Sequence, residues 1–274
     1  MQIFLNKKGE SLTIVAILLV AISAAAVSSY FIWYKSFETQ TQKSIGLNDI
    51  DKEMSKWGKG ETESSGVIPE IVIGQNALTF DGTNDYIKIP KSTSLNTPNA
   101  ITIEAWVNTN NNNITTKIVQ KGDWDGHGLG QDKWQGWQCH ITLEDKGAKI
   151  NWGKGLPQKD RWYYLAMTYD GNKLIFYVDG SKVAETEITG KIKSNNRDVY
   201  IGSDGGTQKF FQGTIDQVSF YNRSLSPEEI LSHYNKQYTP NDTGLVGRWT
   251  FDYISGNVVT DSSGNGNNGT IFGK

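Results

Sequence analysis

Two stretches of this 274-residue chain carry side chains of the type and spacing that chemistry needs. The first is Asp261-Ser-Ser-Gly-Asn-Gly-Asn-Asn-Gly269. A calcium ion takes about six to eight hard oxygens, and glycines let short Asp and Asn side chains and backbone carbonyls converge without clashes. Asp261, Asn265 and Asn267 are the candidate ligands, although an ordinary Asn-Gly turn would use the same residues. The second is GDWDGHGLGQDKWQGWQ, residues 122–138, where Trp124, Trp134 and Trp137 crowd together and Trp152 follows downstream. Flat apolar rings beside Asp and Gln suit a sugar, whose apolar face stacks while its hydroxyls form hydrogen bonds. Rings that close the end of a β-sandwich would leave the same trace in the sequence.

Other chemistry has weaker support. His127, His140 and His233 lack metal-ligand spacing, and no Ser-His-Asp signature accompanies them. Cys139 is the sole cysteine, so an intrachain disulfide is excluded, and a lone thiol packs as a small hydrophobe. A net charge of −2 without a long basic run gives nucleic acid no electrostatic footprint.

The elements that must position these residues are strands. The chain is 37% hydrophobic and 20% charged, with 29 glycines and nine tryptophans, a profile of turns and pleated sheets. From Ala77 onward, short apolar runs alternate with turn residues. In ITIEAWV, Ile101, Ile103, Ala105 and Val107 share one face. RWYYLAMTY leads through Asp170-Gly171 into KLIFYV, and Asp179-Gly180 leads into SKVAETEI, both strong hairpin signals. The expectation is an all-β, two-sheet antiparallel sandwich. One helix is predicted in SPEEILSHYNK, where Ser226 and Glu229 have capping-box spacing.

The N-terminal part reads differently. Residues 1–9 form a basic leader, and Leu12 to Tyr34 is uncharged and about 34 Å long as a helix, enough to cross a bilayer core. Lys7 and Lys8 place the N-terminus in the cytoplasm and the rest outside the cell, with Trp33 and Tyr34 as an interfacial anchor. A cleaved signal peptide is the competing reading, with ISAAAVSS as its processing site. Lys7-Lys8-Gly9 followed directly by the apolar helix resembles the N-terminus of archaeal type IV pilin-like proteins. That resemblance implies processing after Gly9 and a helix at 10–34 able to self-associate. Ala21 and Ala24 to Ala26 would permit close helix approach. Residues 35–76 are polar and read as a stalk.

ALTFDGTNDYIKIP, ITIEAWV, RWYYLAMTYDGNKLIFYVDGSKV, VYIGSDGG and FQGTIDQVSFYNRSLSPEEI follow one another over roughly 160 residues. In order and spacing they resemble a laminin-G-like, concanavalin A-like domain. The resemblance implies a jelly-roll sandwich at 77–274, a ligand face or edge, and a calcium ion at the rim. It adds Asp81 and Asp216 to Asp261, Asn265 and Asn267 as ligands. Glucanases of this fold place Glu-x-Asp-x-x-Glu on a strand, and this chain has no such motif. Glu185 and Glu187 come nearest, so no enzyme is expected. Asn113, Asn222, Asn241 and Asn268 are sequons that fit an exported surface.

One departure stands out. Such domains usually open with a strand of the LVGRWTFD sort and a DSSGNGNNG loop, and here both come last, in residues 244–274. Thirty-one residues cannot hold a core of their own, since domains below about 40 residues usually need disulfides or metals. The tail folds back to supply the first strand and loop, donates them to a neighbouring copy, or belongs to a longer tandem protein. The first is favoured by effective concentration and by the cost of an open sheet edge.

These readings imply a binding module on a membrane anchor at the cell surface, taking an extracellular glycan or surface protein as partner. The alternative is a structural subunit of a pilus-like filament, with the sandwich decorating its exterior.

Overall fold

A computed structural model describes residues 76–122, 126–153, 155–237 and 243–274. The leader, the helix expected at 12–34, the stalk up to residue 75, Trp124 and Asn241 lie outside the described residues. Among those described, no helix is long and apolar enough to cross a membrane.

In chain order the elements are β1 (Leu78–Asp81), β2 (Tyr86–Ile89), β3 (Ile101–Thr109), β4 (Thr116–Lys121), β5 (His127–Asp132), β6 (Gly136–Leu143), β7 (Gly147–Trp152), β8 (Trp162–Tyr169), β9 (Lys173–Val178), β10 (Ser181–Glu187), β11 (Val199–Ile201), β12 (Gln212–Tyr221), α1 (Pro227–Tyr234), β13 (Leu245–Trp249), β14 (Ile254–Ser255), β15 (Val258–Val259) and β16 (Gly269–Phe272). They form two antiparallel sheets. The smaller runs β1-β12-β3-β8-β9-β10, with β13 also on β12, and the larger runs β14-β15-β16-β2-β11-β4-β5-β6-β7.

Side-chain alternation in each strand turns one face of each sheet inward. Ile101, Ile103, Ala105 and Val107 of β3 meet Ile87 and Ile89 of β2, Val199 and Ile201 of β11, and Leu129, Cys139 and Ile141 in one continuous core. The Asp179-Gly180 hairpin has positive φ at both residues, 51° and 72°, as a two-residue type I′ turn requires. Asp81-Gly82 behaves differently. It carries the chain from β1 in the smaller sheet to β2 in the larger one, because the ladder partner of β1 is the distant β12. The capping box is present: Glu229 N donates to Ser226 Oγ and Ser226 N to Glu229 Oε2.

The tail lies on its own chain's sandwich. β13 pairs with Val218 to Tyr221 and β1 with Gln212 to Ile215, so two chain-distant pieces lie end to end along one side of β12. Asn76 Nδ2 donates to Asp252 Oδ1 close to where the two pieces meet. Trp249 is wholly buried against Phe220. β16 runs along β2, with Thr270 opposite Lys88 and Phe272 opposite Tyr86. This approach is close enough to require Gly269, where a Cβ would come within 2.6 Å of the Ile87 side chain.

Candidate functional site

The three described tryptophans of the expected ligand site do not come together. Trp137 is buried on β6, its ring edge-on to Tyr163 at 5.6 Å, and belongs to the core. Trp152 is half-buried on β7 opposite Gln138. Trp134 stands at the tip of the β5–β6 hairpin, 73% exposed, with the Lys133 ammonium 4.2 Å above its ring. Asp132 holds that tip by accepting from Trp134 N and Gln135 N. Hairpin alternation explains the dispersal, since Trp134 is in the turn while the parity of β6 sends Trp137 inward.

The five oxygen-bearing residues are also spread out. Asp81 accepts from Thr83, Asn84 and Asp85 amides. The Thr83 bond, with smaller help from the other two, holds its carboxyl below the usual range. Asp261 accepts from Arg248 N and Ser263 N at Oδ1 and from Asn267 N at Oδ2, which closes the loop. Asn267 Nδ2 donates to Val246 O and Ser94 Oγ, and Asn265 Nδ2 to Leu245 O. Asp81 lies opposite Gln212, whereas Arg248, whose amide Asp261 binds, lies opposite Ser219. Seven residues of strand, roughly 20 Å at about 3.3 Å each, separate those levels. One ion cannot bridge that distance with ligands at about 2.3–2.6 Å. Asp216 lies buried between them beside a bulge, its Oδ1 accepting from Gln217 N. A pocket shared by Asp81 and Asp261 is therefore corrected by the strand register. Among the described residues, no three His, Cys, Asp or Glu side chains converge as a metal set.

A different group does converge, on the outer face of the larger sheet. Because Ile87, Ile89, Val199 and Ile201 point inward, their neighbours Tyr86, Lys88, Tyr200 and Phe272 point outward. Tyr86 is the centre. Phe272 stacks on it at 4.9 Å between centroids and 11° between planes, and Tyr200 and Phe210 lie 6.0 and 6.4 Å away. Gly206, with φ at +73°, lets the loop after β11 press against the Tyr86 ring, where a Cβ would come within 2.8 Å. Phe272 keeps 40% of its surface exposed.

Beside this platform opens a cleft of about 480 Å³ lined by Lys91, Arg197, Asp198, Tyr200 and Thr207, among others. The volume suits a small-molecule site, which typically spans roughly 300–1,000 Å³. The Lys88 ammonium lies 3.1 Å from Asp198, and Lys91 N donates to the same carboxylate. Desolvation works against the charge on Asp198, but the Lys91 amide and then Lys88 outweigh it and keep the carboxyl below its usual range. The hydrogen bond to Asp198 in turn raises Lys88.

The alternation in DYIKIP, VYI and GTIF marked Tyr86, Tyr200 and Phe272 as facing away from their neighbours, but nothing in sequence order joins three strands so far apart.

Two antiparallel sheets packed face to face make this a β-sandwich with rings and polar groups on the outer face of the larger sheet. The chain belongs to the concanavalin A-like lectin/glucanases superfamily, whose family model matches residues 81–231. It is similar to the crystal structure of a candidate carbohydrate binding protein from Bacteroides ovatus, with 21% identity and a TM-score of 0.60. That likeness covers 72% of this chain and 58% of the other, so the chain spans somewhat over half the length of that protein. Looser likenesses reach the CBM40 module of a Ruminococcus gnavus sialidase bound to α2,3-sialyllactose (13% identity, TM-score 0.49, 58% of this chain and 95% of that one). Domain 4 of an extracellular arabinanase from Geobacillus stearothermophilus, in complex with arabinotriose, is similar at 17% identity and TM-score 0.47, over 63% and 82% of the two chains. At these identities the likeness is one of fold. No curated protein matches the sequence.

Proposed function

We propose that this protein is a glycan-binding module displayed at the cell surface, tethered through residues 12–34 and acting in adhesion or recognition. The observation that carries the reading is the Tyr86–Phe272 stacked pair, flanked by Tyr200 and Phe210 and bordered by a polar cleft. Sugars are bound by this combination: a flat ring takes the apolar face of a pyranose, and nearby polar groups take its hydroxyls. Membership of a lectin superfamily and the description of the Bacteroides ovatus protein as carbohydrate binding support the same reading.

The module binds without turnover. Glu185, the nearest approach to a glucanase carboxylate, sits on strand β10 of the other sheet between Lys173 at 3.2 Å and Lys182 at 2.7 Å. Those contacts hold it as an edge-strand ion pair.

A glycan array probed with the full-length chain tests the proposal. Selective retention of one glycan class, reduced by Tyr86→Ala, is the expected result. A chain that retains none of the glycans would end it.

A further inference from the structure

Lys117 differs from the paired cations around it. It is half-buried on β4 opposite Gly130, which in turn lies opposite Gln138 on β6. Gly130 leaves a gap in the outer face of the larger sheet, and the Lys117 stem lies over it. A Cβ on Gly130 would meet Lys117 Cδ and Gln138 Nε2 at 3.4 Å each. Lys88 is held by Asp198 at 3.1 Å and Lys209 by Asp204 at 2.8 Å. Among the described residues no carboxylate or hydrogen-bond acceptor holds the Lys117 ammonium, which keeps contact with water.

The neighbouring elements account for this. Lys117 N and Thr116 Oγ1 both donate to Lys209 O, which brings the loop after β11 against the start of β4. That loop offers Asp204 already bound to Lys209. Asp132 of β5 is turned to the hairpin tip, accepting from Thr115 Oγ1, Trp134 N and Gln135 N. Burial lowers Lys117 to about 8, with Asp204 opposing the shift and Lys209 adding to it. The same loop touches the aromatic platform, for Gly206 presses on the Tyr86 ring and Phe210 lies 6.4 Å from it.

We propose that Lys117 is a nucleophilic amine that captures an aldehyde as a reversible imine, its ligand on this face being the open-chain reducing end of a saccharide seated on Tyr86 and Phe272. The choice of saccharide rests on the glycan-binding reading; the reactivity of the amine does not. A lysine becomes a carbonyl nucleophile when it is desolvated or set beside another cation, and Lys117 meets both conditions. The neutral Nζ adds its lone pair to the aldehyde carbon, and the carbonyl oxygen takes up a proton. Nζ then loses its remaining protons as the hydroxyl leaves as water, and a C=N bond replaces C=O. Nothing is oxidised or reduced.

At pH 8 about half of Lys117 is neutral, whereas an ordinary lysine at about 10.4 is neutral to only about 0.4%. A weaker base is also a weaker nucleophile, which leaves Lys117 about tenfold faster.

The test uses the full-length chain, sodium cyanoborohydride to fix any imine as a secondary amine, and peptide mass spectrometry to locate it. The probes are glyceraldehyde, a mixture of cellohexaose, xylohexaose and mannohexaose, and the same mixture reduced to alditols, which have no aldehyde. Glyceraldehyde at pH 8 should label Lys117 about tenfold faster than the exposed Lys146 and Lys149, at a rate that levels off above about pH 8. The hexaoses should label Lys117 as well, and the alditols should leave the chain unmodified. Tyr86→Ala should slow hexaose labelling about tenfold and leave glyceraldehyde labelling unchanged. Lys209→Met frees Asp204 to pair with Lys117 and should slow glyceraldehyde labelling there, with the melting temperature of each variant verifying its fold. Labelling of Lys117 no faster than that of Lys146 would overturn the proposal. Fast glyceraldehyde labelling without hexaose labelling, or hexaose labelling that Tyr86→Ala leaves untouched, would overturn the saccharide as its ligand and leave the reactive amine standing. If a glycan array retains nothing while glyceraldehyde still selects Lys117, the proposed function fails alone; if an array glycan is retained while Lys117 labels slowly, this inference fails alone.

Discussion

Oε2 of Glu104 lies 3.0 Å from Nδ1 of His233, and both side chains are buried. This contact fastens helix α1 to the outer side of the smaller sheet. The Tyr164 hydroxyl donates to the same carboxylate oxygen at 2.6 Å, and the Tyr221 hydroxyl lies 3.4 Å from the other. Arg248 Nη2, from the tail strand β13, donates to Tyr221 and extends the network. A buried acceptor that serves so many donors is costly to remove, because several hydrogen bonds inside the protein are lost at once where water cannot replace them. Glu104→Ala should destabilise the domain by about 3–5 kcal/mol in urea unfolding. Combining it with Arg248→Met should cost less than the two single changes added together, since both act on one network. Strict additivity would show that β13 and α1 are independent.

The tail fills a cavity as well as an edge. Trp249 has no exposed surface, and its indole N–H donates to Asn267 O inside the Asp261 loop. Trp249→Ala should therefore cost about 3–5 kcal/mol. Ending the chain after Thr243 removes the partner of half of β12 and the outer partner of β2, so it should abolish the cooperative melt. A synthetic peptide of residues 244–274 added to the shortened chain should restore the transition in a concentration-dependent way. A shortened chain that melts as the whole one does would refute this.

Cys139 is a probe of global opening. It is fully buried, and burial pushes its thiol well above the ordinary range. The thiolate is the reactive form, so a disulfide exchange reagent should leave it untouched in the native protein at neutral pH. Labelling should proceed only at the rate of global unfolding and should accelerate in the Trp249→Ala variant. Rapid native labelling would mean that the β5–β6–β7 region opens locally.

Acid should weaken the fold through two histidines. His127 is pushed down to about 3, first by burial and then by the charge of Lys121, and neither ring nitrogen has a hydrogen-bond partner. His140 is driven in the same direction by burial and then by Lys117. Above about pH 6.5 both rings are neutral in either state. Between about 6.5 and 3 the unfolded chain takes up protons that the folded chain refuses, so stability falls as pH falls. Melting temperatures at pH 7.5, 6 and 5 should decline, and His127→Gln with His140→Gln should flatten that decline. Glu229 acts in a lower window. Hydrogen bonds from Arg223 are the largest cause holding it at about 2, so its contribution is present above about pH 4.5 and lost toward 2.

The two-residue turn at Asp179-Gly180, the capping box from Ser226 to Glu229 and the inward face of β3 depend on contacts a few residues apart, and the chain states such contacts directly. The sandwich was legible for that reason. The Asp81-Gly82 turn was not, because the same dipeptide serves a hairpin or a crossing between sheets, and the choice lies with β12, some 130 residues away. The tryptophans show the same limit. Their crowding was visible, but the parity of the ladder buried Trp137 and left Trp134 in the open.

By itself the sequence determined the strands, their turns, the single cysteine and the charge that leaves nucleic acid without a footprint. Only the tertiary structure laid the tail along β12 and β2, placed Asp81 and Asp261 at separate levels of one sheet edge, and stacked Phe272 on Tyr86. The physical reason is that dihedral preferences and side-chain alternation act over a few residues. Which strand edges meet depends instead on burying all the apolar faces of the chain at once.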